Sequence, residues 1–477
     1  MDQSDTKPAL QTRRSFVDRA LSRVAGVPLI EGNDVRLLRD AGENYPAWLE
    51  AIHRATHHIH FETFIFHDDV IGRKFAEALA EKARAGVRVR LVYDWLGGVG
   101  SASWRFWARL RSAGIEVRCY NPPRFDSPLG WLSRDHRKTI AVDGRVGFIA
   151  GLCIGDMWVG DPAKNLAPWR DTGVEVRGPA VAEIEAAFAH IWNLLGEPIP
   201  HEESVSMDEP EVAGSMSVRI VATVPSTAGM IRSDQFIAAL ARKRLWLADA
   251  YYAGTPSYVQ ALRSAARDRV DVRLLVPNST DLPVLRPLSR SGYRSLLEAG
   301  VRVFEWNGSM MHSKTAVADG LWARVGSTNL NLASWFGNCE LDAIVEDEEF
   351  ARQMEEMYSE DLTNSTEIVL DARHKVRASA VPPPRSRRSK SGTGRTRRAV
   401  ASAIRLSNAV GAAFTGRRVL EPVETRYMIS AAIVLLVLAA LFLMFPKLLA
   451  YPTVVIFVWI AAALLYRGYK RRRRHSK

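Results

Sequence analysis

The sequence contains few cysteines, and its N-terminus has no apolar stretch. Cys119, Cys153 and Cys339 are the only three in 477 residues. They are too few and too scattered for a disulfide framework or a zinc site, and they fit a reducing compartment. Met1–Pro8 contains two aspartates and no hydrophobic segment, which argues against a cleaved secretory signal.

Acidic residues are almost absent from the C-terminal quarter. Residues 373–477 carry a net charge of +20, whereas residues 1–372 carry −8. An enzyme of nucleic acids is expected to carry its positive charge around the active-site cleft. Here the charge flanks an apolar segment, where it would meet anionic lipid headgroups. We therefore expect an anionic lipid surface as the partner of the basic tail, and no nucleic-acid partner.

Two apolar runs lie within this basic region. Residues 428–445 and 449–466 are each 18 residues without a charge, separated by Pro446 and Lys447. A helix of that length spans about 27 Å, close to the hydrocarbon thickness of a bilayer. Arginines flank both outer ends, so the positive-inside rule places both ends, and the body of the protein, in the cytoplasm. The sequence predicts a transmembrane helical hairpin; the alternative is a buried hairpin of a soluble protein.

Three ordered pairs of similar segments indicate an internal duplication. Residues 84–92 are similar to 267–275 at an offset of 183, and residues 113–117 to 299–303 at an offset of 186. A pair of His-Lys motifs recurs at an offset of 176. A helix followed by Ala-Gly and a strand is common in any α/β protein, so each pair alone is weak evidence. The ordered set predicts two similar halves.

Both halves alternate helical periodicity with short strands rich in Val, Ile and Leu, which predicts an α/β fold with layered sheets. The predicted strands are 58–66, 87–93, 139–142, 146–150, 245–249, 272–276, 315–318 and 323–326, and the predicted helices include 75–85 and 259–266.

The expected organisation has six parts, with a hinge near residues 198–215. They are an N-terminal arm (1–28), a first half (29–200), a second half (215–372), a basic linker (373–426), two transmembrane helices (427–466) and a basic cytoplasmic tail (467–477).

The two motifs carry the candidate chemistry. Residues 136–143 and 312–319 both read H-x-K-x4-D, and two such copies arise by chance roughly once in several thousand chains. On a strand, residues i and i+2 face the same side, so His136 projects with Lys138, and His312 with Lys314. Two facing pairs supply a nucleophile, a general acid and two cations. This set suffices for phosphodiester chemistry without a metal or other cofactor.

The paired motifs resemble the phospholipase D superfamily. The segments 62–64, 93–94, 168–171 and 338–340 resemble bacterial cardiolipin synthases in particular, and the resemblance covers about residues 28–372. It implies a duplicated phospholipase D-like domain, two βα sandwich halves that share one active-site cleft. Together with the predicted hairpin and the positive-inside rule, it indicates a bacterial inner (plasma) membrane enzyme with a cytoplasmic catalytic domain.

Roles for individual residues follow from this resemblance. His136 is expected to be the nucleophile that forms a phosphatidyl-histidine, and His312 the acid that protonates the departing glycerol and then deprotonates the incoming hydroxyl. The expected phosphate ligands are Lys138, Lys314 and Asn329, and Ser327 is expected to line the same turn. Asp171 and Glu340 are expected to orient the two histidines. Asp143 and Asp319 complete the candidate catalytic motifs and are expected to be structural partners rather than proton shuttles.

The first motif departs from the family in one place. The family usually has Gly-Gly-x-Asn after this motif, whereas this chain has Ala150-Gly151-Leu152-Cys153. A thiol is a poor substitute for an amide donor to phosphate. The first half-site is therefore expected to bind phosphate less tightly, unless a neighbouring group compensates.

The resemblance implies a phosphatidyltransferase that makes cardiolipin and glycerol from two phosphatidylglycerols. A phospholipase D that yields phosphatidic acid is the main alternative, because the acceptor depends on water exclusion from the cleft. A phosphodiesterase or nuclease is disfavoured by the acidic body. A catalytically weak membrane scaffold is disfavoured by the two intact His-Lys pairs. The sequence does not give the oligomeric state.

Two further groups of residues have simpler explanations. His57, His58 and His60 form a cluster, but no acidic or cysteine partner is spaced for a metal; we expect a strand with one exposed face and no metal. Trp104, Trp107 and Trp131 are candidates for an interfacial rim, and core packing explains them equally well.

Overall fold

Strands and helices alternate through both halves of the chain. The computed structural model describes residues 17–123, 132–161, 166–200, 211–225, 227–281, 285–370 and 376–378, with scattered residues between 441 and 465. The strands are β1 (Ile30–Arg39), β2 (His58–Thr63), β3 (Arg88–Asp94), β4 (Glu116–Tyr120), β5 (Lys138–Val142), β6 (Val146–Ala150), β7 (Thr172–Arg177), β8 (Met216–Thr223), β9 (Arg244–Ala248), β10 (Asp271–Pro277), β11 (Arg302–Trp306), β12 (Thr315–Ala318), β13 (Trp322–Gly326), β14 (Glu340–Glu346), β15 (Ser365–Leu370) and β16 (Val376–Ala378).

A helix over residues 17–25 precedes β1, and the other helices separate the strands. They are α1 (Asp40–Arg54), α2 (Val70–Arg84), α3 (Trp95–Gly98), α4 (Trp104–Ser112), α5 (Asp156–Val159), α6 (Val181–Leu195), α7 (Gly229–Leu240), α8 (Pro256–Arg267), α9 (Leu285–Leu297) and α10 (Glu348–Thr363), with a π-helical turn at Ala333–Gly337. All eight strands and both helices predicted from the sequence are present, with ends that differ by a few residues, so the predicted α/β alternation is confirmed.

Hydrogen bonds join all sixteen strands in the order β16-β15-β11-β10-β9-β12-β13-β14-β8-β1-β7-β6-β5-β2-β3-β4. Outward from the β1–β8 junction, the first half reads β1-β7-β6-β5-β2-β3-β4. The second half reads β8-β14-β13-β12-β9-β10-β11, so each strand has a counterpart seven numbers later. This repetition confirms the predicted duplication, and β15 and β16 extend the second half.

Both faces of the central strands are buried. Ile59 and Phe61 of β2 pack with Trp48 and Phe75 from the helices α1 and α2. On the opposite face, side chains from both halves share one apolar cluster; it includes Ala141, Ile149, Val174, Val317, Ala323 and Val345. The strands of the two halves therefore share this core with helices α6 and α10, while α1 and α2 cover the other face of β2. This layered arrangement lets each element bury its apolar face.

Strand direction brings the motifs to one end of each sheet. In the first half, Thr63 at the end of β2 pairs with Lys138 at the start of β5, and Ala150 at the end of β6 pairs with Gly173. In the second half, Ala248 pairs with Thr315 in the same way. We call this end of each sheet its motif edge. All site residues discussed below belong to one compact unit, Met1–Tyr120 with Arg134–Ala399.

The predicted membrane hairpin falls largely outside the described residues. Among the residues that are described, no helix is both long and apolar enough to cross a bilayer. The linker at 373–426 and the tail at 467–477 also lie outside them, apart from residues 376–378. These predictions, the arm at 1–28 and the exact domain boundaries stay predictions.

Candidate active site

Each motif enters its strand while hydrogen-bonded to the other half of the protein. The backbone N–H of His136 donates to the carbonyl of Cys339 at 2.9 Å, and the N–H of His312 donates to the carbonyl of Arg170 at 2.7 Å. These contacts belong to two short parallel bridges, Asp135 with Cys339 and Arg170 with Met311. The two halves thus position each other's catalytic loops.

The two histidines are oriented by carboxylates from the opposite half. His136 Nδ1 lies 2.8 Å from Glu340 Oε2, and His312 Nδ1 lies 2.6 Å from Asp171 Oδ2. An ionised carboxylate can only accept, so Nδ1 carries the proton in both rings. The lone pair of each neutral imidazole therefore lies on Nε2, the atom available for attack or proton transfer.

Burial keeps both imidazoles neutral. Desolvation lowers the pKa of His136, with a further lowering from the Lys138 charge, and Glu340 only partly opposes it. Desolvation and the Lys314 charge lower the pKa of His312 to about 3, against the opposing effect of Asp171. At neutral pH His136 is thus in the form that a nucleophile requires.

Two buried lysines accompany the histidines. Lys138 Nζ and Lys314 Nζ donate to the carbonyls of His136 and His312, respectively. Burial, together with the charge of Lys138, lowers the pKa of Lys314 to about 8, although the Asp171 carboxylate opposes this shift. Two mutually repelling ammonium groups in a buried site favour an anion between them, as a phosphodiester would be.

The carboxylate of Glu340 is itself held in place. Ser327 Oγ donates to Glu340 Oε2 at 2.6 Å, and Asn338 Nδ2 donates to Oε1 at 3.2 Å. The hydroxyl of Ser327 also accepts from the N–H of Leu341 at 3.0 Å. Ser327 therefore positions the partner of His136; its expected contact with substrate stays a prediction.

In the first half, a glycine lies beside the carboxylate that orients the other histidine. Gly151 stands where Ser327 stands in the second half, at the motif offset of 176. A Cβ at Gly151 would lie 2.1 Å from Asp171 Oδ1. Any side chain here would displace the carboxylate that orients His312, so the shorter Asp171 is matched by a residue without a side chain.

Cys153 occupies the position that corresponds to Asn329. Both side chains are buried, and Asn329 Oδ1 has no hydrogen-bond partner within the described residues. Burial raises the pKa of the Cys153 thiol, while the charges of Lys138 and Lys314 oppose this. The thiol thus lies near both lysines but is protonated, and it offers only a weak donor.

The motif aspartates are not brought together with the histidines. Asp143 accepts the backbone N–H groups of Thr56, His57 and His58 at 2.7–2.8 Å. Asp319 likewise accepts those of Arg242, Lys243 and Arg244. Each lies beyond the far end of its strand, about 16 Å along the chain from the motif lysine at 3.3 Å per residue. Their geometry is that of structural caps.

Aromatic rings line the site, and sequence reasoning missed some of them. The ring of Phe64 lies 5.1 Å from His136 and 5.2 Å from Lys138 Nζ. Tyr251 lies 5.9 Å from both His312 and Lys314 Nζ, and Trp169 lies 5.4 Å from His312. Phe64 directly follows β2 and Tyr251 lies three residues after β9, the corresponding strand, so both rings come from the loops at the motif edges.

One expectation about the histidine cluster is wrong. All six residues of β2 are buried, so this strand has no exposed face. Helices α1 and α2 cover one face of β2, and helix α6 covers the other, which leaves His58 and His60 in the interior.

The chain is similar to known proteins over both of its halves. A family model described as "Cardiolipin synthase, PLD-like domain" matches residues 48–192 and 237–362, one segment in each half. The cardiolipin synthase of Alkalihalophilus pseudofirmus is 35% identical over 347 residues, which cover 72% of this chain and 68% of that protein. Cardiolipin synthase A of Pseudomonas fluorescens is 32% identical over 358 residues, 73% of each chain.

Solved structures share the fold. The crystal structure of phosphatidylserine synthase from Haemophilus influenzae Rd KW20 matches with a TM-score of 0.60 and 13% identity, covering 82% of this chain and 98% of that one. Polyphosphate kinase from Porphyromonas gingivalis matches with a TM-score of 0.51 and 13% identity, covering 79% and 53%. The fold, the reciprocal His-carboxylate pairs and the sequence matches lead to one conclusion: the chain belongs to the cardiolipin synthase family of phospholipase D-like enzymes.

Proposed function

We propose that this enzyme transfers a phosphatidyl group from one phosphatidylglycerol to another, giving cardiolipin and free glycerol. The observation that carries the proposal is the pair of hydrogen bonds from His136 to Glu340 and from His312 to Asp171. They leave a neutral Nε2 on each histidine beside two buried lysines. The named relatives, all cardiolipin synthases, supply the choice of lipid substrate.

In the first step, His136 Nε2 attacks the phosphorus of the donor lipid. The bond from phosphorus to the glycerol headgroup oxygen breaks, and His312 gives that oxygen a proton, so glycerol leaves. The product is a phosphatidyl group bonded to His136. Lys138, Lys314 and Asn329 stabilise the negative charge on the phosphoryl oxygens in the transition state.

His312 must be protonated for this step, although its pKa is about 3 without substrate. A phosphodiester anion placed beside the ring favours the imidazolium and raises its pKa. Substrate binding therefore supplies the acid form of His312 at the site where it is used.

In the second step, His312 takes the proton from a headgroup hydroxyl of the acceptor phosphatidylglycerol. The resulting oxygen attacks phosphorus, the bond to His136 Nε2 breaks, and cardiolipin is released. Water in place of the lipid hydroxyl would give phosphatidic acid, the product of the alternative phospholipase D reaction.

Exposed apolar side chains near the motif edges support a lipid substrate. They follow the ends of β2, β3, β6 and β13, which are the strand ends at the motif edges; the set is Val70, Val99, Trp104, Val159, Leu332 and Phe336. The first-half loops are joined by hydrogen bonds from Asp68 to Ser101 and from His67 to Ile154. We call this set the apolar rim and propose that it enters the bilayer surface.

The basic C-terminal region adds a second attachment. Residues 428–445 and 449–466 are proposed to form a membrane hairpin, with the arginine-rich flanks on the cytoplasmic, anionic leaflet. This would hold the catalytic unit on the cytoplasmic face of a bacterial inner membrane, where phosphatidylglycerol is available.

The test is product analysis with purified full-length protein in phosphatidylglycerol vesicles. We expect glycerol and cardiolipin in equal amounts, and neither from the His136→Ala variant. Phosphatidic acid as the only lipid product would replace this proposal with hydrolysis. Cleavage of labelled single-stranded DNA without any lipid product would overturn the lipid assignment altogether.

A further inference from the structure

Two buried histidines and a glutamate meet away from the active site. His58 and His60 lie on the same face of β2, and Glu185 of α6 faces them. His58 Nε2 is 2.6 Å from Glu185 Oε1, and His60 Nδ1 is 4.0 Å from the same oxygen. One ligand atom from each residue lies within 4.8 Å of the other two. Glu185 is 127 positions from His58 in sequence, which is why sequence spacing did not reveal an acidic partner.

The His60 ring makes no hydrogen bond to any residue that the structure describes. Its side chain is buried, and within the described residues neither ring nitrogen has a hydrogen-bond partner. The ring stacks on Phe188 with centroids 4.5 Å apart, and it lies 4.6 Å from the ring of His58. A buried polar atom without a partner costs free energy, so the cluster is incomplete as a hydrogen-bonded network.

The second half provides an internal comparison at the corresponding positions. There Arg244 Nη1 donates to Glu355 Oε2 at 2.7 Å, and Trp246 stacks on Tyr358 with centroids 5.4 Å apart. A cation and an aromatic ring thus satisfy the fold at these two positions. The first half instead has two imidazoles, each with a nitrogen that can bind a metal.

We propose that His58, His60 and Glu185 bind one divalent transition-metal cation, for which Zn²⁺ is the best match. Two imidazoles and one carboxylate form a known zinc ligand set, with a water completing the tetrahedron. Bonds of 2.0–2.1 Å imply ligand atoms about 3.3 Å apart. Rotating the Glu185 carboxylate away from its short contact with His58 and moving the His60 ring inward would bring the three atoms to that spacing.

The surroundings connect this cation to the first motif. The backbone N–H of Gly144 donates to Glu185 Oε1 at 3.2 Å, an outer contact that orients the carboxylate. Helix α6 also supplies the carbonyl of Ala187, which accepts from Arg137 Nη1 at 2.8 Å. Arg137 lies between His136 and Lys138 in the motif, so a cation that fixes α6 on β2 would also stabilise the first motif.

The experiment measures binding of Zn²⁺, and of Co²⁺ as a spectroscopic probe, to metal-stripped full-length protein without an affinity tag. We expect one equivalent of Zn²⁺ and visible tetrahedral Co²⁺ bands. The double variant His58→Arg/His60→Trp copies the second half and is therefore designed to keep the fold. It should bind Zn²⁺ more than 100-fold more weakly, as should Glu185→Gln.

His57→Gln is the matched control, because His57 is an adjacent but exposed histidine; it should bind as the unmodified protein does. The proposal is overturned if the unmodified protein has no saturable Zn²⁺ site, or if the unmodified protein binds Zn²⁺ no more tightly than the Glu185→Gln variant does. Circular dichroism establishes that each variant is folded, and Glu185→Gln decides the matter if the double variant is not.

Discussion

His136 Nδ1 lies 2.8 Å from Glu340 Oε2, and these two residues come from opposite halves of the duplicated chain. The reciprocal pair, His312 with Asp171, has the same arrangement at 2.6 Å. Neither half alone therefore contains an oriented histidine. Duplication here does more than supply two copies of a motif, because each copy completes the site of the other.

Replacing Glu340 with glutamine should reduce kcat by about 10²–10⁴-fold, because an amide can donate to Nδ1 and stabilise the wrong tautomer of His136. The measurement is the initial rate of glycerol release from phosphatidylglycerol vesicles. Glu367→Gln, on the partly exposed strand β15, is the control and should change kcat less than twofold. A kcat for Glu340→Gln within threefold of the unmodified enzyme would contradict the assigned role.

The pH dependence of kcat/KM should report Lys314. Its pKa is about 8, and it must be protonated to neutralise the phosphate, so the rate is high below that pH and falls as pH rises through it. Because Asp171 raises this pKa, Asp171→Asn should move the alkaline limb to lower pH, besides lowering the rate. If the alkaline limb does not move in this variant, the loss of rate at high pH does not come from deprotonation of Lys314.

Asp143→Asn should affect stability more than catalysis. The Asp143 carboxylate accepts three backbone N–H groups, and weakening these bonds should lower the free energy of unfolding by about 1–3 kcal/mol. Asparagine tolerates the positive φ of 54° at this position. Urea unfolding measures the loss, and kcat should stay within twofold. A hundredfold fall in kcat for the folded variant would instead make Asp143 a proton shuttle.

The same carboxylate gives a pH signature. Burial raises the pKa of Asp143, but the N–H groups of His58, Thr56 and His57 lower it more, so the net shift is downward. A lowered pKa stabilises the fold above the unfolded-state value of about 3.9, and that stabilisation is lost as pH falls through the folded-state value. The stability difference between the unmodified protein and Asp143→Asn should therefore be full at neutral pH and shrink in acid.

The apolar rim predicts an interfacial effect. Trp104 is 74% exposed, and Trp104→Ser should raise the KM for phosphatidylglycerol in mixed micelles about tenfold, the equivalent of about 1.4 kcal/mol of apolar burial. Its kcat should not change, since the ring does not contact the histidines. Leu321→Ser, in the turn at the opposite edge of the second-half sheet, is the control. Equal KM values for Trp104→Ser and Leu321→Ser would show that the apolar rim does not contribute to lipid binding.

The sequence predicted the strands beside the motifs closely, because their apolar runs are bounded by the motif on one side and by an Asp-Gly turn on the other. β12 was predicted as residues 315–318 and has those bounds. The expectation that each histidine and its lysine share one strand was less accurate, because β5 begins at Lys138 and β12 at Thr315, so both histidines precede their strands. The sequence pattern was sufficient for features that depend only on neighbouring residues, such as the bounds of these strands.

Contacts between distant segments could not be derived in this way. Glu340 is 204 positions from His136, and resemblance to a family, rather than periodicity, suggested the pair. The same distance problem hid Glu185 from the histidines of β2. The second task of Ser327, holding Glu340, depends on how two loops meet, and no spacing rule describes that.

The covalent phosphatidyl group proposed on His136 can be detected directly. The His312→Ala variant is mixed with phosphatidylglycerol labelled in its phosphate, and the reaction is quenched rapidly without acid. Peptide mass spectrometry under alkaline conditions then locates the label, and His136→Ala is treated in parallel. We predict an adduct on the peptide that contains His136, formed slowly, persistent in His312→Ala and absent from His136→Ala. An adduct on His312 in the unmodified enzyme, or turnover to cardiolipin by His136→Ala, would show that His136 is not the nucleophile.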